Sequence, residues 1–149
     1  MKRRSDTQEG IGVWTQLHVE PSILRLVIPF TTPELTAAAL RHVVGCTDLD
    51  VDIHVIDVEV VPFPCPLDQP PVNKEFAERR LQQLMEDTGL ECHAQVVYTR
   101  DRFEGFCRAL ERKSVVVLAT KKRWWPTRES TLGRFLTRGG HQVMLLPVR

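Results

Sequence analysis

From residue 23 onward, short runs of consecutive apolar residues alternate with longer segments whose apolar residues recur at helical spacing, and this alternation restricts the possible folds more than any other feature. The runs fall at residues 23–30, 51–60, 92–98, 115–119 and 143–148. A run that is apolar at nearly every position suits a strand buried on both faces, the environment of a parallel sheet packed between helices. The intervening segments carry helix punctuation. Thr32-Pro33-Glu34 supplies an N-cap residue, a proline at the first helical position and a first-turn acid, ahead of an apolar face of Leu35, Ala39, Leu40, Val43 and Val44 that stops near Gly45. Asn73 is placed to cap a second helix with core face Ala77, Leu81, Leu84 and Met85, ended by Thr88-Gly89. Asp101-x-x-Glu104 reads as a capping box ahead of the stripe Phe103, Phe106, Cys107 and Leu110. A last helix turns Leu132, Phe135 and Leu136 inward and stops at Gly139-Gly140.

The order β-α-β-α-β-α-β-α-β predicts an α/β domain over residues 23–149, a doubly wound five-stranded parallel sheet with helices on both faces, because crossovers between parallel strands are right-handed. Ligands of such folds bind beyond the carboxyl ends of the strands, where the winding reverses. That directs attention to the loop after the first strand, the end of the second, and residues 118–131. Residues 1–22 read as a polar extension, with Val13, Thr15, Leu17 and Val19 alternating as in a short extra strand. Five prolines between Pro62 and Pro71 forbid helix and central strand, leaving a stiff crossover loop.

A chain of 149 residues buries a sizeable core without staples. No apolar stretch approaches the roughly 20 residues that span a bilayer, and Lys2-Arg3-Arg4 leads into polar residues where a secretory signal would turn apolar. A cytoplasmic protein is the expectation. The four cysteines, 19, 27 and 15 residues apart, have no zinc-finger spacing, and Cys92 and His93 point to opposite faces of a strand, so they are expected to be reduced and structural, with Cys107 on an apolar helix face and no metal site. Asp48, Asp50 and Asp52 read as solvated charges at a strand entry, and His54 as a packed or surface histidine with no acid beside it. No nucleophile elbow, Walker loop or zinc-protease helix is present, which points away from an enzyme. The net charge of +1 conceals an uneven distribution: residues 1–99 carry 8 basic and 15 acidic side chains, residues 100–149 carry 12 and 4. The last third is therefore suited to receive an anion.

Local matches add to the element order. Leu26-Val27-Ile28-Pro29-Phe30 followed by Pro33-Glu34-Leu35, the strand Val51-Asp52-Ile53-His54-Val55-Ile56-Asp57, and the close Gln142-Val143-Met144-Leu145-Leu146 resemble the universal stress protein family across about residues 23–148. The resemblance implies the adenine nucleotide alpha hydrolase-like strand order 3-2-1-4-5. It also implies an ATP site built from an Asp after the first strand, a Val backbone on the second, and a Gly-x-x-Gly, spacer, Gly-Ser/Thr signature after the fourth. Carried over, these positions are Thr31, Val55, Ala119, Lys122 and the pair Glu129-Ser130, with Leu118, Lys121 and Thr131 beside them; the spacer is about three residues shorter than usual. Val55 and Ser130 survive, whereas the acid and all three glycines are lost. Without glycine the backbone approaches phosphate less readily, and Glu129 places a carboxylate where phosphates would lie.

The expectation is a non-catalytic binding or regulatory domain with family-style ATP binding weakened or lost and no resident cofactor. One alternative is a reader of ATP or AMP through Lys121, Lys122, Ser130 and Thr131; another is a cytosolic module for a transporter or other protein partner. In Lys121-Lys122-Arg123-Trp124-Trp125-Pro126 the indoles are expected to fold under the loop and pin it, the other reading being a protein partner at Trp124-Trp125. The basic patch is too small to argue nucleic acid. Family dimers pair their last strands, which places Val143 and Leu145 in a homodimer interface.

Overall fold

The computed structural model describes residues 23–46, 50–71, 73–111 and 114–149. The extension with its proposed strand at 13–19, and Asp48 of the acidic turn, lie outside them. Nine elements follow in the expected order: β1 (Leu24–Pro29), α1 (Pro33–Cys46), β2 (Val51–Val60), α2 (Lys74–Thr88), β3 (His93–Thr99), α3 (Arg102–Ala109), β4 (Val115–Lys121), α4 (Arg128–Arg138) and β5 (Gln142–Val148). The sheet is parallel throughout, in the order β3-β2-β1-β4-β5. The chain winds outward from β1 to one edge, then crosses to β4 and winds to the other, so the reversal lies between β1 and β4.

Alternation along the central strands divides the core in two. Leu26, Ile28, Ile53 and Val55 pack under α1 and α2 with Leu35, Leu40 and Leu81, while Val27, Ile56, Val58 and Val116 pack under α3 and α4 with Phe106, Leu132 and Leu136. The N-caps form where the sequence implies, but the capping box read at Asp101 and Glu104 is only half made, since the Glu104 carboxylate accepts from Arg108 and the Asp101 amide donates to Thr99 Oγ1. Thr32 Oγ1 accepts from the Leu35 amide at 3.2 Å, Asn73 from Glu75 at 3.0 Å and Asp101 from Glu104 at 2.9 Å, and Gly89 ends α2 in the left-handed conformation with φ 65°. Gly105 marks the closest approach of α3 to the sheet, where an added Cβ would lie 2.6 Å from Val58 Cγ1 and 2.7 Å from Thr99 Cγ2. The proline-rich connection is held at its start by Arg100, whose Nη1 donates to the Val61 and Pro62 carbonyls.

Five local expectations need correction. Val44 and Cys107 are exposed, because α1 and α3 each meet the sheet through a narrower stripe than their apolar spacing implies. Phe135 is only half covered and packs on Phe103, with ring centroids 4.6 Å apart. Both indoles of the β4–α4 loop are exposed, Trp124 completely and Trp125 to 80%, so neither pins the loop. Finally, His54 does have an acid beside it: Asp52, two residues earlier on the same face of β2, lies 2.8 Å from its Nε2.

Candidate functional site

The carboxyl ends of β1 and β4 open into the β1–α1 and β4–α4 loops, where the sequence placed its candidate ligand residues. At the first loop the backbone is occupied with starting α1, since the Thr31 amide donates to Thr36 Oγ1 at 3.2 Å. At the second, Thr127 and Ser130 form a reciprocal capping box. The Ser130 hydroxyl accepts from the Thr127 amide at 2.9 Å and lies 3.0 Å from the Thr127 carbonyl, while the Ser130 amide donates to Thr127 Oγ1 at 3.1 Å. Thr131 Oγ1 donates to the same Thr127 carbonyl at 3.0 Å. The Ser130 amide and the Ser130 and Thr131 hydroxyls, which a phosphate at this helix start would use, are thus engaged in holding the helix start itself.

Two clefts flank the junction, sharing the ridge Pro126, Thr127 and Arg128. The first, about 300 Å³, lies towards α1 and is walled by Thr32, Lys121, Arg123, Trp125 and Glu129. The second, about 450 Å³, lies towards α3 and is walled by Val60, Arg102, Phe103, Thr131 and Leu132. Burial, reinforced by the nearby charge of Arg128, lowers the Arg102 pKa below its ordinary value. The candidate residues are therefore divided. Lys121 faces the first cleft and Thr131 the second, Lys122 is exposed and lines neither, and the side chains of Val55, Leu118 and Ala119 are buried in the sheet beneath.

Two further polar groups escaped the reading of the sequence. On the α1/α2 side, Arg80 bridges Asp57 and Glu59, with Nη2 2.7 Å from a carboxylate oxygen of each, and lays its guanidinium over the Phe30 ring at 4.4 Å. Burial raises Asp57 to a pKa of about 6 against the opposing pull of the Arg80 hydrogen bond. At the amino ends of β2 and β3, Asp52, His54 and His93 come together. The i, i+2 spacings of Asp52/His54 and Asp57/Glu59 signal a shared strand face in both cases, but their partners Arg80 and His93 arrive only through tertiary contacts.

Fold and clefts together define a doubly wound α/β domain with cationic walls at its switch point. Compared with protein-family models and with curated proteins, the chain matches none. Among the described residues no helix is long and apolar enough to cross a membrane.

Proposed function

We propose that this chain is a universal-stress-protein-like cytoplasmic domain that works by binding, without turnover, and that it has given up the family's way of holding ATP. The observation that carries the reading is the Thr127–Ser130 capping box: the surviving serine of the signature is committed to its own helix, in a loop without glycine. A backbone cradle for phosphates needs amides that converge on the ligand, and here side-chain oxygens already satisfy those of Thr127 and Ser130. Binding is directed instead at protein surfaces. One is the exposed Trp124-Trp125 loop, and the other is β5, an edge strand exposing Met144 and Leu145, which pairs with a second copy.

Calorimetric titration with ATP and AMP, with and without Mg²⁺, is expected to give dissociation constants no tighter than about 1 mM, and protein as purified is expected to release no nucleotide. Micromolar binding abolished by Ser130→Ala and Lys122→Glu would overturn the reading. The cleft walled by Lys121, Arg123, Arg128 and Trp125 favours a second reading, a nucleotide held by side chains. Its mark is micromolar affinity that survives Ser130→Ala and disappears in Lys121→Glu/Arg128→Glu. For the dimer, sedimentation at micromolar concentration is expected to give two copies in the wild type and one in Leu145→Glu, since pairing would desolvate an unpaired charge and set it near its like-charged symmetry mate. A monomeric wild type would rule this interface out.

A further inference from the structure

We infer that Asp52, His54 and His93 form a binding site for a divalent transition-metal ion of the Zn²⁺ type, at the end of the sheet opposite the clefts. Both parts of the geometry are set by strands. Asp52 and His54 share one face of β2 by the two-residue period, and parallel register sets His93 of β3 directly opposite His54. The two imidazoles stack with centroids 4.7 Å apart and planes 23° from parallel. Each turns its Nε2 to a different oxygen of the same carboxylate, His54 to Oδ2 at 2.8 Å and His93 to Oδ1 at 3.3 Å. One ligand atom from each of the three residues lies within 4.8 Å of the others. Bonds of about 2.0–2.1 Å in a tetrahedron set ligand atoms roughly 3.3 Å apart, so only small side-chain movements are needed to admit an ion.

The set suits a divalent cation, because two imidazole nitrogens and a carboxylate oxygen already converge on one point. Arg25, opposite Asp52 in register on β1, is the cation that opposes this, and it is ion-paired to Glu111. Two imidazole nitrogens and one carboxylate oxygen suit Zn²⁺ and its first-row neighbours; Mg²⁺ and Ca²⁺ take oxygen sets. His93 is 72% exposed, which leaves an entry path and a fourth position for water. A bound ion would tie the edge strand β3 to β2, independently of whatever the clefts hold.

The test uses the whole 149-residue chain without a tag, titrated with Zn²⁺ against a chromogenic chelator, and with Co²⁺ followed by its visible absorption. Expected are a micromolar Zn²⁺ dissociation constant, at least tenfold weaker binding in His93→Ala and in Asp52→Asn, and no response to Mg²⁺. At about a hundredfold excess over that constant, Zn²⁺ is expected to raise the thermal midpoint by about 5–10 °C. His42 and Cys46, one helical turn apart with Nε2 and Sγ separated by 3.6 Å, are the competing pair. Binding unchanged in His42→Ala/Cys46→Ser supports the assignment. Binding retained in His93→Ala, or none tighter than about 100 µM in the wild type, would overturn it. Because the His93 side chain is mostly in water, loss of binding in His93→Ala with an unchanged circular dichroism spectrum reports on ligation.

Discussion

Phe106→Ala is expected to destabilise the protein by about 3–5 kcal/mol, read as a fall of roughly 10–15 °C in the thermal midpoint. Phe106 is 0% exposed and lies among Val27, Ile56, Val58, Leu118 and Leu132 on the α3/α4 side of the sheet. The helix that carries it has only eight residues, and Gly105 and Phe106 are the residues it buries. So short a helix has no stability of its own in water, and its position depends on that ring. Truncation removes the transfer free energy of the ring and leaves a void that Gly105, already against Val58 and Thr99, has no side chain to fill. Against a total stability of order 5–15 kcal/mol, the loss is a large fraction. Phe135→Ala, on the half-covered neighbour, is the control and is expected to cost about 1 kcal/mol. Equal losses at the two positions would mean that the α3/α4 core is not packed around Phe106.

Arg80→Met is expected to cost about 3–5 kcal/mol at pH 8 and much less at pH 5. The guanidinium neutralises two carboxylates at once, and Asp57 is only 3% exposed. Without it, Asp57 must either remain a buried, unpaired charge beside Glu59 or take up a proton. The direction with pH follows from the raised pKa. In the folded protein Asp57 holds its proton up to about pH 6, against an ordinary value of 3.8. The folded state thus binds more protons than the unfolded chain between these values. The stability contributed by that protonation is complete below about pH 4 and is lost as pH rises through about 6. Removing Arg80 pushes the Asp57 pKa higher still, so the substitution is cheapest where Asp57 is already neutral. Urea unfolding of wild type and Arg80→Met at the two pH values measures the difference, and Asp57→Asn should remove most of it. A cost independent of pH would show that Arg80 acts through its packing on Phe30 and not through Asp57.

Much of the architecture was legible because local signals agreed with one another. The apolar run of β1, the Thr32-Pro33-Glu34 start of α1, the Asn73 cap and the Gly89 stop each act within a few residues, and each is found where the pattern put it. Burial was less legible at helix margins. Val44 and Cys107 have apolar spacing but lie outside the stripe that touches the sheet, and spacing does not reveal how wide that stripe is. The tryptophans illustrate the same limit. Whether an indole covers an edge or stands in solvent depends on the path of the loop, and spacing along the chain does not reveal that path.

The candidate sites divide along the same line. The sequence by itself determined which residues could form strands and helices, the excess of cations after residue 99, and the absence of glycine from the loop after β4. Only the tertiary structure decided that Ser130 answers Thr127, that Lys121 and Thr131 open onto different clefts, that Arg80 crosses from α2 to Asp57, and that His93 stacks on His54. The reason is one of range. Caps and periodicities are set by hydrogen bonds and side-chain geometry over three or four residues, whereas an Asp52–His54–His93 cluster requires the register of two strands separated by a helix and a proline-rich loop, and that register is settled by packing the whole sheet.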